Sequence, residues 1–344
     1  MHMADALLSP TVGGVMCAAS AAAITHCSRR ISNEADDRRV PLMGVLGAFL
    51  FAAQMINFSI PGTGSSGHLG GGLLLAILLG PHAAFLVMAS VLIVQALFFA
   101  DGGLLALGCN IFNLGFFPAF VGYPLYRWIA GASPGSARAT AAAMIAAIVS
   151  LQLGALAVVL ETVASGISAL PFNTFALFML PIHLAIGIVE GVVTATVVSF
   201  VRTTRPGILP TAAPSGRSVA GTALAFLAVA LVLGGVAAQF ASNNPDGLEW
   251  SVAQAAGAAG PETQLTTVHA RLDRLQQEIA LLPHYGFRSE GATAVQSRTM
   301  SATGRESTAD ERLGASVAGL VGGALTLVLA LLVGFALKAR AGRR

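Results

Sequence analysis

The sequence predicts an all-α integral membrane protein: a core of about seven helices, then two C-terminal transmembrane helices that enclose an extracytoplasmic loop. Three observations predict it. Only 10% of the residues are charged and 55% are hydrophobic, with a mean hydropathy of +0.76, whereas about 25% of residues are charged in a typical globular protein. No Asp, Glu, Lys or Arg occurs from Ala6 to Ser28, Val40 to Ala100, Gly102 to Tyr126, Ser218 to Pro245 or Leu313 to Leu337, and each run can hold a span of about 20 residues. The basic residues, finally, fall where alternate connections would place them on one side of a membrane.

Met1 to Ser28 lacks the basic start of a secretory signal, because its first arginine, Arg29, follows the apolar run. It reads as a retained first helix with the N-terminus outward. Further spans are expected near 41–60, 82–100, 104–125, 139–163, 172–201, 218–240 and 315–337. A short one is expected near 69–80, too short to cross upright; helices broken at membrane depth are tolerated where they line a site. Glu161, Glu190 and Pro171 interrupt the stretch from Ala139 to Val201. On this path 13 of the 19 basic residues are cytoplasmic, and the other six, from Arg271 to Arg312, share one outer loop that is long enough to translocate regardless of charge. The Pro-, Thr- and Ser-rich stretch before Arg217 reads as a cytoplasmic linker. The expected organisation is therefore 1–205, a membrane core; 206–217, a linker; and 218–344, two helices around an extracytoplasmic loop over 241–314. Within that loop Leu272, Leu275, Ile279 and Leu282 recur at helical spacing, and the remainder has the composition of a disordered segment. Cys17, Cys27 and Cys109 all lie in apolar segments and suggest neither disulfides nor a zinc site.

Two elements carry chemistry. A free α-amino nitrogen at Met1, the amide nitrogen of His2 and its imidazole Nδ1 can chelate one metal in fused rings, and nitrogens in a plane favour Ni(II) or Cu(II) over tetrahedral zinc. Taken alone, His2 is better read as an ordinary residue of a frayed terminus. The loop from Asn57 to His68 carries three glycines, which suit a backbone folding over a small ligand, and on the expected topology it lies on the same side as Met1. His68 could supply a fourth nitrogen or, with equal weight by spacing, a hydrogen bond at the membrane surface.

The run Met1-His2-Met3-Ala4-Asp5-Ala6-Leu7-Leu8-Ser9-Pro10, the loop through His68-Leu69-Gly70-Gly71-Gly72, Gln95-Ala96-Leu97 to Asp101-Gly102-Gly103, Ala106 to Asn113, and His183-Leu184 to Glu190-Gly191 together resemble the CbiM/NikM family, the metal-specific S components of energy-coupling factor transporters. The resemblance covers residues 1 to about 205. It implies a metal held by the N-terminal amine of Met1, the backbone nitrogen and imidazole of His2, and His68, with Asn57 as a hydrogen-bonding residue behind them. The spelling GTGSSGH and His82 depart from the commoner family pattern without removing a ligand. After the linker, Asn244-Pro245-Asp246-Gly247-Leu248-Glu249 resembles a PDGLE-type N component, with Asp246 and Glu249 a loop signature rather than ligands.

The resemblance further implies a capture subunit importing Ni2+ or Co2+ through the plasma (inner) membrane, with a transmembrane coupling component, two ATPase chains and membrane lipid as partners and nucleic acid excluded. The only lysine is Lys338, in the C-terminal tail, so no Walker A lysine is available and ATP hydrolysis is expected from other chains. An ATP-independent carrier using Glu161 and Glu190 is the alternative. A rhomboid-like reading, with Ser66 and His183 as a dyad, carries little weight. His183 and Glu190 share a helix face and suit a relay or helix-to-helix hydrogen bonds; Asn110 and Asn113 suit packing; His26, His269 and His284 have no nameable partner. A reporter fused after Arg217 is expected to be cytoplasmic and one inserted at Gly291 to be outside; the opposite result at both would invert the topology.

Overall fold

The computed structural model describes residues 2–33, 39–131, 135–204, 220–257, 263–288 and 309–341. Met1 and the expected linker over 206–217 lie outside these. The chain is helical nearly throughout, as the charge-free runs demand, because a backbone crossing lipid must satisfy its own polar groups. The membrane helices before the linker are α1 (Pro10–Asn33), α2 (Arg39–Gln54), α3 (Gly72–Leu79), α4 (Pro81–Phe99), α5 (Leu107–Ile111), α6 (Tyr123–Ala130), α7 (Ser136–Ser165) and α8 (Phe172–Thr204). A π-helical segment, Phe112–Gly122, joins α5 to α6 without a break. After the linker come α9 (Ala220–Gly235), α10 (Gly247–Ala256), α11 (Thr267–Ile279) and α12 (Ala309–Ala341). Among the described residues, six helices are long and apolar enough to cross a membrane; α2 is shorter.

The second expected span ends early. Helix α2 stops at Gln54, and the chain turns into a hairpin of β1 (Phe58–Ile60) and β2 (Ser65–Gly67), paired Phe58 to Gly67 and Ile60 to Ser65. Its turn places Gly62 and Gly64 at φ of 76° and 73°, which L-residues seldom adopt. Beyond it, α3 has eight residues, all of them buried, so the short apolar stretch is a helix sunk into protein. It runs straight into α4, whose first residue is Pro81, where a missing N–H costs nothing.

Small residues set the helix contacts. Ala142, Ala143, Ala146, Ala147 and Ala155 are all fully buried on α7. Opposite them on α8, a Cβ on Gly191 would lie 3.0 Å from the Met144 Cα and one on Gly187 3.3 Å from the Ile148 Cα. Close backbone approach of this kind is how helices gain packing energy in lipid, where apolar side chains are drawn together by no hydrophobic force. The two C-terminal helices lie against α2: Gly44 faces Leu331, and Gly322 accepts the ring of Phe51.

Two outer features differ from expectation. The segment after Ser242 is not featureless: Asp246 caps α10, accepting from Leu248 N and Glu249 N, while Glu249 reaches back to the Asp246 N–H. Helix α11 is present, but its inward face is carried by His269 and Gln276, and Leu275 and Ile279 are 45% and 38% exposed. The reason is that it docks on open backbone carbonyls at the bundle's end, which call for donors rather than for apolar surface.

At the α9–α12 crossing, a Cβ on Gly319 would fall 2.4 Å from the Gly234 carbonyl oxygen. Gly319→Leu is therefore expected to force the pair apart and destabilise the protein by about 1–3 kcal/mol, seen as a lower unfolding temperature in detergent.

Candidate metal centre

The N-terminal segment is pinned by hydrogen bonds and half-buried. Met3 is fully buried; its N–H donates to Asn110 Oδ1 at 2.7 Å, and Asn110 Nδ2 donates back to the Met3 carbonyl at 3.2 Å. Gly103 N–H adds a second bond to that carbonyl at 2.9 Å. Asp5 Oδ1 accepts from Ala106 N–H at 3.0 Å. The chain passes so close that a Cβ on Gly103 would lie 1.7 Å from Asp5 Oδ1, and one on Gly102, at φ of 78°, would lie 2.7 Å from Asn110 Nδ2. This seat carries His2 inward. Its ring stacks on that of His68 with centroids 5.1 Å apart and planes 6° from parallel, and its Nδ1 lies 3.4 Å from Asp101 Oδ1.

His68 leaves the end of β2, its Nδ1 facing the Leu69 carbonyl at 3.2 Å. The next peptides are clamped by a carboxylate of α8: Gly70 N–H donates to Glu190 Oε2 at 3.0 Å and Gly71 N–H to Oε1 at 3.1 Å. A directional relay joins this loop to His2. The Gly70 carbonyl can only accept, so Gln54 turns its amide nitrogen to it at 2.9 Å. The Gln54 oxygen then takes the Gln95 nitrogen at 2.9 Å. That leaves Gln95 Oε1 beside His2, and both Gln95 Oε1 and His2 Nε2 are buried without a hydrogen-bond partner among the described residues. If His2 binds a metal through Nδ1, its remaining proton sits on Nε2 and Gln95 Oε1 is the acceptor at hand, the kind of outer partner that ligating histidines usually have.

Burial lowers the pKa of His2 and holds that of His68 at about 3, so both imidazoles are neutral lone-pair donors at neutral pH. For Asp101, burial opposes ionisation but its neighbours, the Tyr285 hydroxyl among them, outweigh it. For Asp246 burial is again outweighed, with the Glu249 N–H among the groups favouring the anion. The arrangement is two neutral nitrogen donors between two ionised carboxylates, a balance suited to a divalent cation. Among the described residues no three His, Cys, Asp or Glu side chains close a metal site by themselves.

The chain after α9 covers this centre from two directions. On one side Ser66 N–H and Oγ donate to the Pro245 and Asn244 carbonyls, each at 2.8 Å, and Trp250 Nε1 donates to the Thr63 carbonyl at 2.9 Å. On the other, Gln276 Nε2 donates to the Ala96 and Gly102 carbonyls, His269 Nε2 bonds the Leu8 carbonyl at 2.8 Å, and the Tyr285 hydroxyl donates to Asp101 Oδ2.

The structure thus brings His2 and His68 together, with Met1 outside the described residues. Asn57 participates through its backbone, its carbonyl accepting from Ser242 N–H at 2.8 Å. The Ser66–His183 dyad is not formed: Ser66 Oγ donates to the Asn244 carbonyl and His183 Nδ1 faces the Met179 carbonyl. Glu161 is held by Asn113 Nδ2 at 2.8 Å. Asn110, read from sequence as packing, instead holds the terminus. Asp101 and Gln95 carried no individual role in the sequence reading, and Asp246 was read as a loop signature. Two had a signal: Asp101 is the single charge between Val40 and Tyr126, and Asp246 with Glu249 three residues on spells a capping box.

The chain is similar to known transport proteins. The family model described as the cobalt uptake substrate-specific transmembrane region, CbiM, matches residues 2–208, and the PDGLE domain model matches residues 220–339. The fused nickel transport protein NikMN of Rhodobacter capsulatus is 32% identical, covering 62% of this chain and 66% of that protein. The cobalt transport protein CbiM of Sorangium cellulosum is 34% identical over 54% of this chain and 82% of that one. The crystal structure of a transition metal transporter is similar at 34% identity and a TM-score of 0.53, covering 59% of this chain and 93% of the other.

Asn110→Ala removes both side-chain partners of Met3 and leaves its buried N–H open, a cost of about 1–3 kcal/mol. The expected outcome is faster amide exchange over residues 3–8 and weaker binding of Ni2+ or Co2+ in a protein that still inserts and purifies normally.

Proposed function

This chain belongs to the CbiM family, with a PDGLE domain following the family's membrane region, and from that premise we propose that it captures Ni2+ or Co2+ as the membrane subunit of an uptake transporter. The observation that carries the reading is the stacked pair His2 and His68, half-buried neutral donors beside the ionised Asp101 and Asp246. Two imidazoles do not complete a coordination sphere. The ligands expected alongside them are the free amine of Met1 and the amide nitrogen of His2. Nitrogen ligands in a plane suit Ni(II) over zinc. In this reading the metal face and the N-terminus are extracytoplasmic and the end of α12 is cytoplasmic.

Power for uptake is proposed to come from an energy-coupling factor assembly of one coupling protein and two ATPase chains, which fits a chain whose only lysine, Lys338, lies beyond its last apolar run. The carrier alternative draws on Glu161 and Glu190, both buried. Its appeal is reduced because Glu190 has both oxygens engaged by the Gly70 and Gly71 N–H groups, a clamp that protonation would break. Uptake that persists without co-expressed ATPase chains would favour the carrier.

The direct test is equilibrium binding of Ni2+ and Co2+ to purified protein with its native N-terminus. His68→Ala is expected to weaken binding by at least about tenfold, and one residue added before Met1, which converts the amine to an amide, is expected to abolish high-affinity binding. Unchanged affinity in the extended protein would remove the amine from the ligand set.

A further inference from the structure

His183 takes no part in the capture site, yet it is presented as a ligand would be. Its side chain is 1% exposed and lies on α8 two turns before Glu190. Nδ1 sits 2.8 Å from the Met179 carbonyl oxygen; a carbonyl only accepts, so the proton is on Nδ1 and the lone pair on Nε2. That Nε2 is fully buried with no hydrogen-bond partner among the described residues. It borders the same pocket as His68, a space of about 250 Å³ with its mouth included, whose other walls include Gly70, Leu114 and Ile186.

Two neighbours shape this pocket. Glu190 grips the peptides just after His68 and places a carboxylate behind them. From the other side α10 begins with a residue that has no side chain: a Cβ on Gly247 would lie 3.2 Å from His183 Cε1 and 3.0 Å from Ile186 Cδ1. The walls thus offer a bare imidazole nitrogen and a second imidazole within an otherwise apolar lining, with the Glu190 carboxyl group behind the peptides after His68. A cation that accepts nitrogen ligands fits that set, and imidazole suits nickel and cobalt alike.

We propose that His183 Nε2 is an inner metal ligand, and that a Ni2+ or Co2+ ion leaving His2 is held between His68 and His183 on its way into the protein. His68 is the shared ligand, so the ion need never be without a nitrogen donor as it moves. The Glu190 clamp keeps the peptides after His68 in register with the α8 face that carries His183. The proposal rests on the capture reading above, and its test separates the two.

The full chain carrying His183→Cys is loaded with Co2+ alone and its near-ultraviolet absorption recorded. Thiolate bound to Co2+ gives an intense charge-transfer band that nitrogen ligands do not, and Cys17, Cys27 and Cys109 are common to variant and wild type. The band is expected in the variant and not in the wild type, and uptake by cells expressing the whole transporter is expected to shift from Co2+ towards the softer Cd2+. His183→Ala and His183→Gln are both expected to slow Co2+ uptake by at least about tenfold. A variant that binds Co2+ without the band overturns the inner ligand. Wild-type uptake with His183→Gln does so too, since it would make His183 a hydrogen-bonding residue only. Wild-type protein that binds neither Ni2+ nor Co2+ overturns the capture reading and this one with it.

Discussion

Everything at the centre depends on the pairing of Asn110 with the Met3 backbone. A chain terminus is ordinarily the least ordered part of a protein, and a ligand set drawn from it would have to be assembled from a mobile segment at each binding event. Asn110 removes that cost by using both ends of its amide on one residue, at 2.7 and 3.2 Å, with Gly103 adding a third bond. Each such bond contributes only about 1 kcal/mol net. Their effect on position is larger, because three bonds to the backbone of one residue and the buried Met3 side chain fix the chain directly after His2. The glycines at 102 and 103 follow from the same demand, since any side chain there would occupy the space of Asn110 or Asp5.

The second requirement is charge balance. A divalent ion between neutral imidazoles would carry an uncompensated double charge into a buried place, and burying unpaired charge is costly. In the proposed site Asp101 and Asp246 would supply the compensation, one from the end of α4 and the other from the cap of α10. Each is held ionised by its neighbours despite burial. Tyr285 and the α10 N–H groups are therefore part of the electrostatics of the centre even though they stand away from any ligand.

Much of this was legible in the sequence where one physical rule dominates. Charge-free runs gave the membrane helices, because lipid leaves no alternative for an apolar backbone of that length, and the short stretch before Pro81 proved to be a short buried helix. His2 and His68 were found through the resemblance and stand together in the structure. What escaped was long-range and polar. Asn110 lies 107 residues from Met3, and nothing in its local spacing distinguishes a packing asparagine from one that receives a terminus. Helix α11 shows the same limit: it forms where the periodicity placed it, with Leu272 and, just past its end, Leu282 against the core, but the inward His269 and Gln276, which meet the carbonyls of Leu8, Ala96 and Gly102, carry no such pattern.

The fusion of the segments after α9 to the membrane core has a physical rationale in what a separate chain would have to offset. The hairpin side of the contact combines hydrogen bonds at Ser59, Ser66 and Trp250, each modest in net strength, with close packing of Gly247 on Ile186 and of Trp250 on Phe178. As a separate protein, such a segment would first have to offset lost translational and rotational freedom, estimated at about 4–15 kcal/mol. Carried on α9 and α12, which themselves pack on α2, it approaches at an effective concentration set by its tether, of order millimolar for a short flexible one. Individually modest contacts then suffice to hold it over the centre.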